Sequence, residues 1–181
     1  MRLFTCGKNM QKHCQKKGEE EMIYFYSQMK SPLGELTLVA NEKKLIAILW
    51  EEDDPKRVKI PGMKLAQDHS VLDRTEFQLR EYFSGKRKFF DVPLEFRGTE
   101  FQIQVWKGLQ SIPYGITQSY GSLAKQIGSP KASRAVGAAN GRNPISIIVP
   151  CHRVIGADGS LTGFAGGMKA KSYLLALEKS S

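Results

Sequence analysis

Thr99 to Ala139 reads TEFQIQVWKGLQSIPYGITQSYGSLAKQIGSPKASRAVGAA, and its punctuation predicts three short helices in succession. Thr99 and Gln102 have the spacing of a capping box, in which a hydroxyl and a side-chain amide satisfy backbone groups of the first turn. Phe101, Val105, Leu109 and Ile112 follow at helical intervals, and Pro113-Tyr114-Gly115 closes that helix. Ser119 is placed to cap a second helix through Leu123 and Ile127, with Gly128 as its stop. Ser129 is placed to cap a third, with Pro130 in its first turn, running to about Ala139 before Asn140-Gly141. The last two, joined by a Gly-Ser turn, have the pattern of a helix-turn-helix unit, although many such pairs only pack on one another. Ala132, Ser133, Ala135, Gly137, Ala138 and Ala139 give the third helix a small-residue surface from which Arg134 stands out as the long cation. Such a surface lets a backbone come close to a groove, or equally to another helix.

Working back toward the N-terminus, Pro93 and Gly98 bracket a connector at Asp91–Gly98. Before it, Met22 to Met29, Glu35 to Ala40 and Leu45 to Trp50 are short apolar or alternating runs separated by turn residues, which predicts an antiparallel meander. Val71 to Ser84 carries Leu72, Leu79, Tyr82 and Phe83 at helical intervals and stops at Gly85. No cluster of reactive side chains falls in this half, and its expected role is to support its neighbour. Residues 1–21, rich in Lys, Gln and Glu, read as a disordered leader, leaving domains at 22–92 and 99–181.

The 181 residues are 41% hydrophobic, enough for ordinary cores, and no run approaches the ~18 apolar residues of a membrane span. The net charge of +9 is uneven: residues 22–98 hold 13 cations against 12 carboxylates, whereas 99–181 hold 9 against 3. Most of the excess therefore sits with the helix-turn-helix pattern, as a phosphate backbone would favour. Cys6, Cys14 and Cys151 are too few for a disulfide framework, which points to the cytoplasm, or the nucleus of a eukaryote. Cys6, His13 and Cys14 match no standard zinc spacing, even with His69 as a distant fourth ligand, so no metal is expected.

Chemistry concentrates at Pro150-Cys151-His152-Arg153, which follows the apolar run Ile145 to Val149. A thiol is a useful nucleophile as its thiolate, and neighbouring positive charge, here Arg153, favours that form. In an extended strand Cys151 and His152 would point to opposite faces, so they can cooperate only if the backbone turns there.

Ser129 to Glu178 reads SPKASRAVGAANGRNPISIIVPCHRVIGADGSLTGFAGGMKAKSYLLALE. Its PCHRV core, the upstream RAVG followed by Asn-Pro, the downstream GGxxxK and the terminal Glu, in that order, resemble the active-site half of the O6-alkylguanine-DNA alkyltransferases, also called methylated-DNA–protein-cysteine methyltransferases. The resemblance extends more loosely back to Phe101. It implies an α+β protein: an N-terminal domain with a small antiparallel sheet plus a helix, and a mainly helical C-terminal domain with a winged helix-turn-helix-like DNA-binding unit. It also implies DNA repair by direct, irreversible transfer of the alkyl group from O6-alkylguanine to Cys151, once per molecule, with no cofactor. The expected partner is double-stranded DNA carrying that lesion, without a membrane, and the protein is expected to be a monomer.

The roles that follow from the resemblance fall on named residues. The helix bearing Ala132, Ser133, Ala135 and Gly137 would lie in the minor groove, with Arg134 filling the gap left by the extruded nucleotide. Extrusion is physically required, because O6 of a paired guanine is closed to a protein thiolate. Cys151 would be the nucleophile. Tyr120 would donate its hydroxyl to the base, His152 would take the thiol proton through a water, and Glu178 would orient and charge the imidazole. Asn143 would act as a hinge tying the recognition helix to the active-site segment, and Val154, Phe164, Ala165 and Gly166 would line the base pocket. Two other classes fit parts of the pattern. A non-catalytic lesion binder of the alkyltransferase-like kind would lack the acceptor cysteine, and a cysteine hydrolase would need an oxyanion hole and repeated turnover.

Overall fold

Residues 23–180 are described in the computed structural model, so the sequence expectations for residues 1–21, including Cys6, His13 and Cys14, lie outside the described residues. The alternating runs form strands β1 (Tyr24–Ser31), β2 (Gly34–Ala40) and β3 (Leu45–Trp50), paired antiparallel. The β1–β2 register runs from Ser31 opposite Gly34 to Phe25 opposite Ala40, and Gly34, at φ 98°, supplies the left-handed backbone of the tight turn. A fourth strand not anticipated from the sequence, β4 (Met63–Leu65), pairs in parallel with β1 and completes the order β3-β2-β1-β4. All three of its residues are exposed, so it carries no alternation to read.

Leu36, Leu38 and Ala40 of β2 face α1 (Ser70–Phe83) and the main core, while Val39 turns to a second cluster with Tyr24, Ile46 and Ala47. Val58 and Ile60, from the loop between β3 and β4, pack over that second cluster. His69 is the N-cap of α1, its Nδ1 accepting from Leu72 N at 3.5 Å. The helix buries Val71, Leu72, Thr75, Gln78, Leu79 and Tyr82. Each such large apolar side chain contributes about 1.5–3 kcal/mol by leaving water.

The connector runs beside the sheet: Leu45 N donates to Pro93 O at 2.8 Å and Glu95 N to Leu45 O at 2.9 Å. The inner sheet face, α1 and the C-terminal helices consequently share one hydrophobic cluster. Helix α2 (Glu100–Gln110) starts at the Thr99/Gln102 capping box, with both reciprocal bonds formed. Trp106, 2% exposed, donates Nε1–H to Ala139 O at 2.9 Å and so fixes α2 to α4. Ser119 caps α3 (Tyr120–Gln126), accepting from Ser122 N at 3.1 Å.

Helix α4 (Ser133–Gly141) departs from the expected bounds. Ser129 does not cap it; Ala132 N donates to Ser129 O at 2.9 Å, closing a turn with Pro130 in its second position, where proline's fixed φ fits best. The helix therefore begins after Ala132, without a side-chain cap, and includes Asn140 and Gly141. Val136, Ala139 and Asn140 are buried, so Ala139 belongs to the packed face of α4, while Arg134 and Ala135 are exposed. The two-residue strands β5 (Gln118–Ser119) and β6 (Val154–Ile155) pair in parallel across the helical domain, and α5 (Gly167–Ser180) ends the described chain. Among the described residues no helix is long and apolar enough to cross a membrane.

Candidate functional site

Between Ile145 and Pro150 the chain doubles on itself. Val149 N donates to Ile145 O at 3.0 Å, and Ile147 has φ 75°. A β-branched residue in the left-handed region is strained, by about 1–3 kcal/mol, and the surrounding burial holds it there. Cys151–Arg153 then forms one 3-10 turn, the backbone turn that cooperation between Cys151 and His152 requires. Cys151 is 3% exposed and His152 is fully buried. Asn143 spans the doubled segment: its Nδ2 donates to Val149 O at 2.8 Å and its Oδ1 accepts from Ile145 N at 3.1 Å. Asn140 Nδ2 donates to Cys151 O at 3.4 Å.

Glu178 is 4% exposed, so its place near the end of α5 does not make it a solvent residue. Five donors converge on its carboxylate. His152 Nε2 lies 2.8 Å from Oε1, Tyr82 donates its hydroxyl to Oε1 at 2.8 Å, and Gly115 N donates to Oε2 at 3.0 Å. Arg153 adds a fork, Nη2 to Oε1 at 2.9 Å and Nε to Oε2 at 2.8 Å. Burial alone would raise the Glu178 pKa, but the hydrogen bonds from His152 and Arg153 and the charge of Arg153 outweigh it and hold the carboxyl well below the usual range. An anion so held cannot take a proton from His152; it fixes Nε2 as the N–H side of the ring and leaves Nδ1 as the basic nitrogen. Nδ1 is buried and has no hydrogen-bond partner among the described residues.

The electrostatics correct two expectations. Burial pushes the Cys151 thiol up from its ordinary value; the polar side chains of Asn143 and Ser146 and the charges of Arg57 and Lys171 pull it only part of the way back. Burial likewise lowers His152, against the pull of Glu178. Both shifts favour a neutral thiol and a neutral imidazole at rest, against the expectation that Glu178 keeps His152 charged. The cations that favour the thiolate are Arg57 and Lys171, because Arg153 is spent on Glu178 and on Ile112 O, at 2.5 Å.

Neither Arg57 nor Tyr82 was found from the sequence, since both reach the site from the N-terminal half through long-range contacts. Arg57 pairs with Asp53 and donates to Ile48 O at 3.1 Å and to Asn143 O, fastening the loop after β3 to the hinge residue. Lys171, the last residue of the GGxxxK pattern, is fully buried and donates Nζ to Val154 O at 2.6 Å and Thr162 O at 2.7 Å. It thereby ties the 156–166 loop to β6.

The remaining expected site residues divide between two places. Tyr120, Ser133, Arg134 and Gly137 line a cleft of about 430 Å³ with Gly141, Thr162 and Gly163. Tyr120 hydroxyl donates to Thr162 O at 3.3 Å and accepts from Thr162 Oγ1 at 3.1 Å. Val154, Phe164, Ala165 and Gly166 do not line this cleft. Val154 is buried, Ala165 packs on the core, and Phe164 stacks edge-on against Trp50 at 5.4 Å and against His152 at 6.3 Å. A side chain at Gly166 would meet the Trp50 ring at 2.7 Å. Ala132 stands at the N-cap of α4.

A strained turn that presents a thiol beside a carboxylate-held imidazole, next to a helix-turn-helix, defines a class of DNA-associated proteins acting through a cysteine. Comparison with known families narrows the class. Residues 100–180 match the family described as "6-O-methylguanine DNA methyltransferase, DNA binding domain", and residues 24–96 match "6-O-methylguanine DNA methyltransferase, ribonuclease-like domain". The methylated-DNA–protein-cysteine methyltransferase of Methanosarcina acetivorans is 48% identical over 156 residues, covering 86% of this chain and 99% of that protein. The inducible enzyme of that name from Bacillus subtilis is 48% identical over 82% of each chain. The crystal structure of Mycobacterium tuberculosis OGT in complex with DNA superposes with a TM-score of 0.80 at 49% identity, over 86% of this chain and 93% of that one. The chain belongs to the 6-O-methylguanine DNA methyltransferase family.

Proposed function

We propose that Cys151 is the acceptor in a single-use repair reaction on O6-alkylguanine in double-stranded DNA. The chain is a methylated-DNA–protein-cysteine methyltransferase, which repairs DNA by moving the methyl group of O6-methylguanine to one of its cysteines. The observation that carries the assignment to Cys151 is its 3-10 turn with His152, whose Nε2 is held by Glu178 and whose Nδ1 is buried without a partner among the described residues.

Arg134, exposed on α4, enters the duplex and takes the place of the extruded nucleotide. The base occupies the cleft between α4 and Thr162, with Tyr120 at its wall. His152 Nδ1 accepts the thiol proton through a water. Sulfur attacks the alkyl carbon, the sulfur–carbon bond forms as the carbon–O6 bond breaks, and the electron pair leaves with guanine. Tyr120 donates a proton to the base, so guanine departs neutral. Asn143, Ser146, Arg57 and Lys171 favour the thiolate as it forms. The product is a thioether at Cys151, which is the one cysteine among the described residues. All of these groups come from one chain, so the reaction runs in a monomer. Incubation with a limiting duplex carrying one O6-methylguanine tests this: one methyl group per protein on the Cys151 peptide is expected, and continued turnover or binding without modification would overturn it.

A further inference from the structure

Arg142, the residue after α4, faces a second cleft, of about 370 Å³, whose opposite wall is the loop between β3 and β4. From Pro55 to Gln67 the sequence contains Lys56, Arg57, Lys59 and Lys64 and no carboxylate, whereas the rest of residues 22–98 holds 9 cations against 12 carboxylates. Packing sorts these residues. Arg57 is tied to Asp53 and to Asn143 O, and Val58 and Ile60 pack on the outer sheet face, so Lys56 and Lys59 are left exposed on the cleft. Arg97 also lines it, paired with Glu95. Among the described residues no acidic side chain lines it, so Lys56, Lys59 and Arg142 give it an excess of three positive charges.

Carbonyls at the C-terminal end of α4 would oppose an anion there. Two of them are occupied, Ala139 O by Trp106 Nε1 and Asn140 O by Asn143 N at 3.2 Å. Arg142 lies eight residues beyond Arg134, about 12 Å along the helix at 1.5 Å per residue. That is about three to four nucleotide steps of one strand at about 3.4 Å each.

We propose that this cleft is a second phosphate-binding subsite, through which Lys56 and Lys59 of the N-terminal domain and Arg142 hold the DNA backbone flanking the lesion. The inference rests on the reading that α4 lies on the DNA. It gives the N-terminal domain a direct part in the footprint, with the loop anchored by Arg57 as the arm that delivers it. Contacts of this kind position a duplex without reading its sequence.

The test is the salt dependence of duplex binding, with Lys56→Ala/Lys59→Ala compared with Lys43→Ala/Lys44→Ala, which removes two exposed cations on the β2–β3 turn. Each phosphate contact contributes about 0.9 to the slope of log K against log salt. The cleft variant is expected to lose about 0.9–1.8 from the slope and the turn variant to keep it, while both react normally with free O6-benzylguanine. A slope lowered by less than half of one contact, or lowered equally by both variants, would overturn the subsite. So would thermal stabilisation of the wild type by inorganic phosphate that the cleft variant lacks, with no change in its slope on the duplex, which would assign the cleft to a free anion. A wild-type protein that fails to take the alkyl group from duplex DNA would instead defeat the functional reading itself.

Discussion

Tyr82→Phe isolates the contribution that the N-terminal half makes to holding the buried Glu178 carboxylate. The substitution removes one hydroxyl that donates to Glu178 Oε1 at 2.8 Å and leaves the ring against Phe90 and Tyr114. A hydrogen bond to a charged group contributes about 1.5–3 kcal/mol. Oε1 still accepts from His152 and Arg153, so no buried acceptor is left bare, and the loss belongs at the low end, about 1.5 kcal/mol near neutral pH. The pH dependence gives a signature that simple loss of packing lacks. Burial and the Glu178 charge raise the Tyr82 pKa far above its ordinary value of 10.0. Its stabilising effect is therefore complete below pH 10 and is lost as pH rises past it, because the unfolded chain then releases a proton that the folded one keeps. The slope of that loss is about 1.4 kcal/mol per pH unit. Urea unfolding at pH 8 and at pH 11 should show a difference between wild type and variant of about 1.5 kcal/mol that closes by about pH 11. A difference that persists unchanged at pH 11, or none at pH 8, would refute the reasoning.

Cys151→Ala should abolish transfer and leave lesion-duplex affinity within about threefold, read by anisotropy, because it removes the nucleophile and little surface. Arg134→Ala should slow repair of duplex DNA at least about tenfold more than reaction with free O6-benzylguanine, whose base needs no extrusion; equal losses would place Arg134 in the chemistry or the fold. Gly166→Ala should cost about 1–3 kcal/mol in thermal unfolding, since the added carbon meets the rigid Trp50 ring. Because burial lowers His152 below 6.5 and hydrogen bonding lowers Glu178 below 4.5, the folded state takes up protons less readily than the unfolded chain. Stability should fall as pH drops through 6.5 and again below 4.5, and a urea midpoint that rises on acidification would contradict both assignments.

The local features of the fold were legible because their signals are local. The Thr99/Gln102 box, the Ser119 cap and the alternation of β2 each depend on residues within one turn or one strand, and each formed where the spacing placed it. Ser129 misled because serine before proline opens a turn as readily as a helix, and here the turn came first. At the site, the resemblance points to Cys151, His152 and Glu178, whereas nothing in the sequence shows their environment. Glu178 looks like an exposed helix end until Tyr82, 96 residues away, closes over it. Arg153 looks like the cation of the thiol until its fork is seen on Glu178, and Arg57 stands 86 residues from its carbonyl partner at Asn143. Such pairings have no period in the sequence; only the packing of the sheet and α1 against the helical domain creates them.

Glu178→Gln is a poor probe of the proton path, because it would leave the Arg153 charge buried without its carboxylate, at a cost of about 3–5 kcal/mol. The direct measurement is the peptide mass spectrum of the protein after reaction with one duplex containing a single O6-methylguanine. Expected is one added methyl group, confined to the peptide bearing Cys151, in an amount equal to the guanine restored and rising no further with excess substrate. Guanine restored beyond one per protein, or a methyl group found on any other residue, would contradict the account.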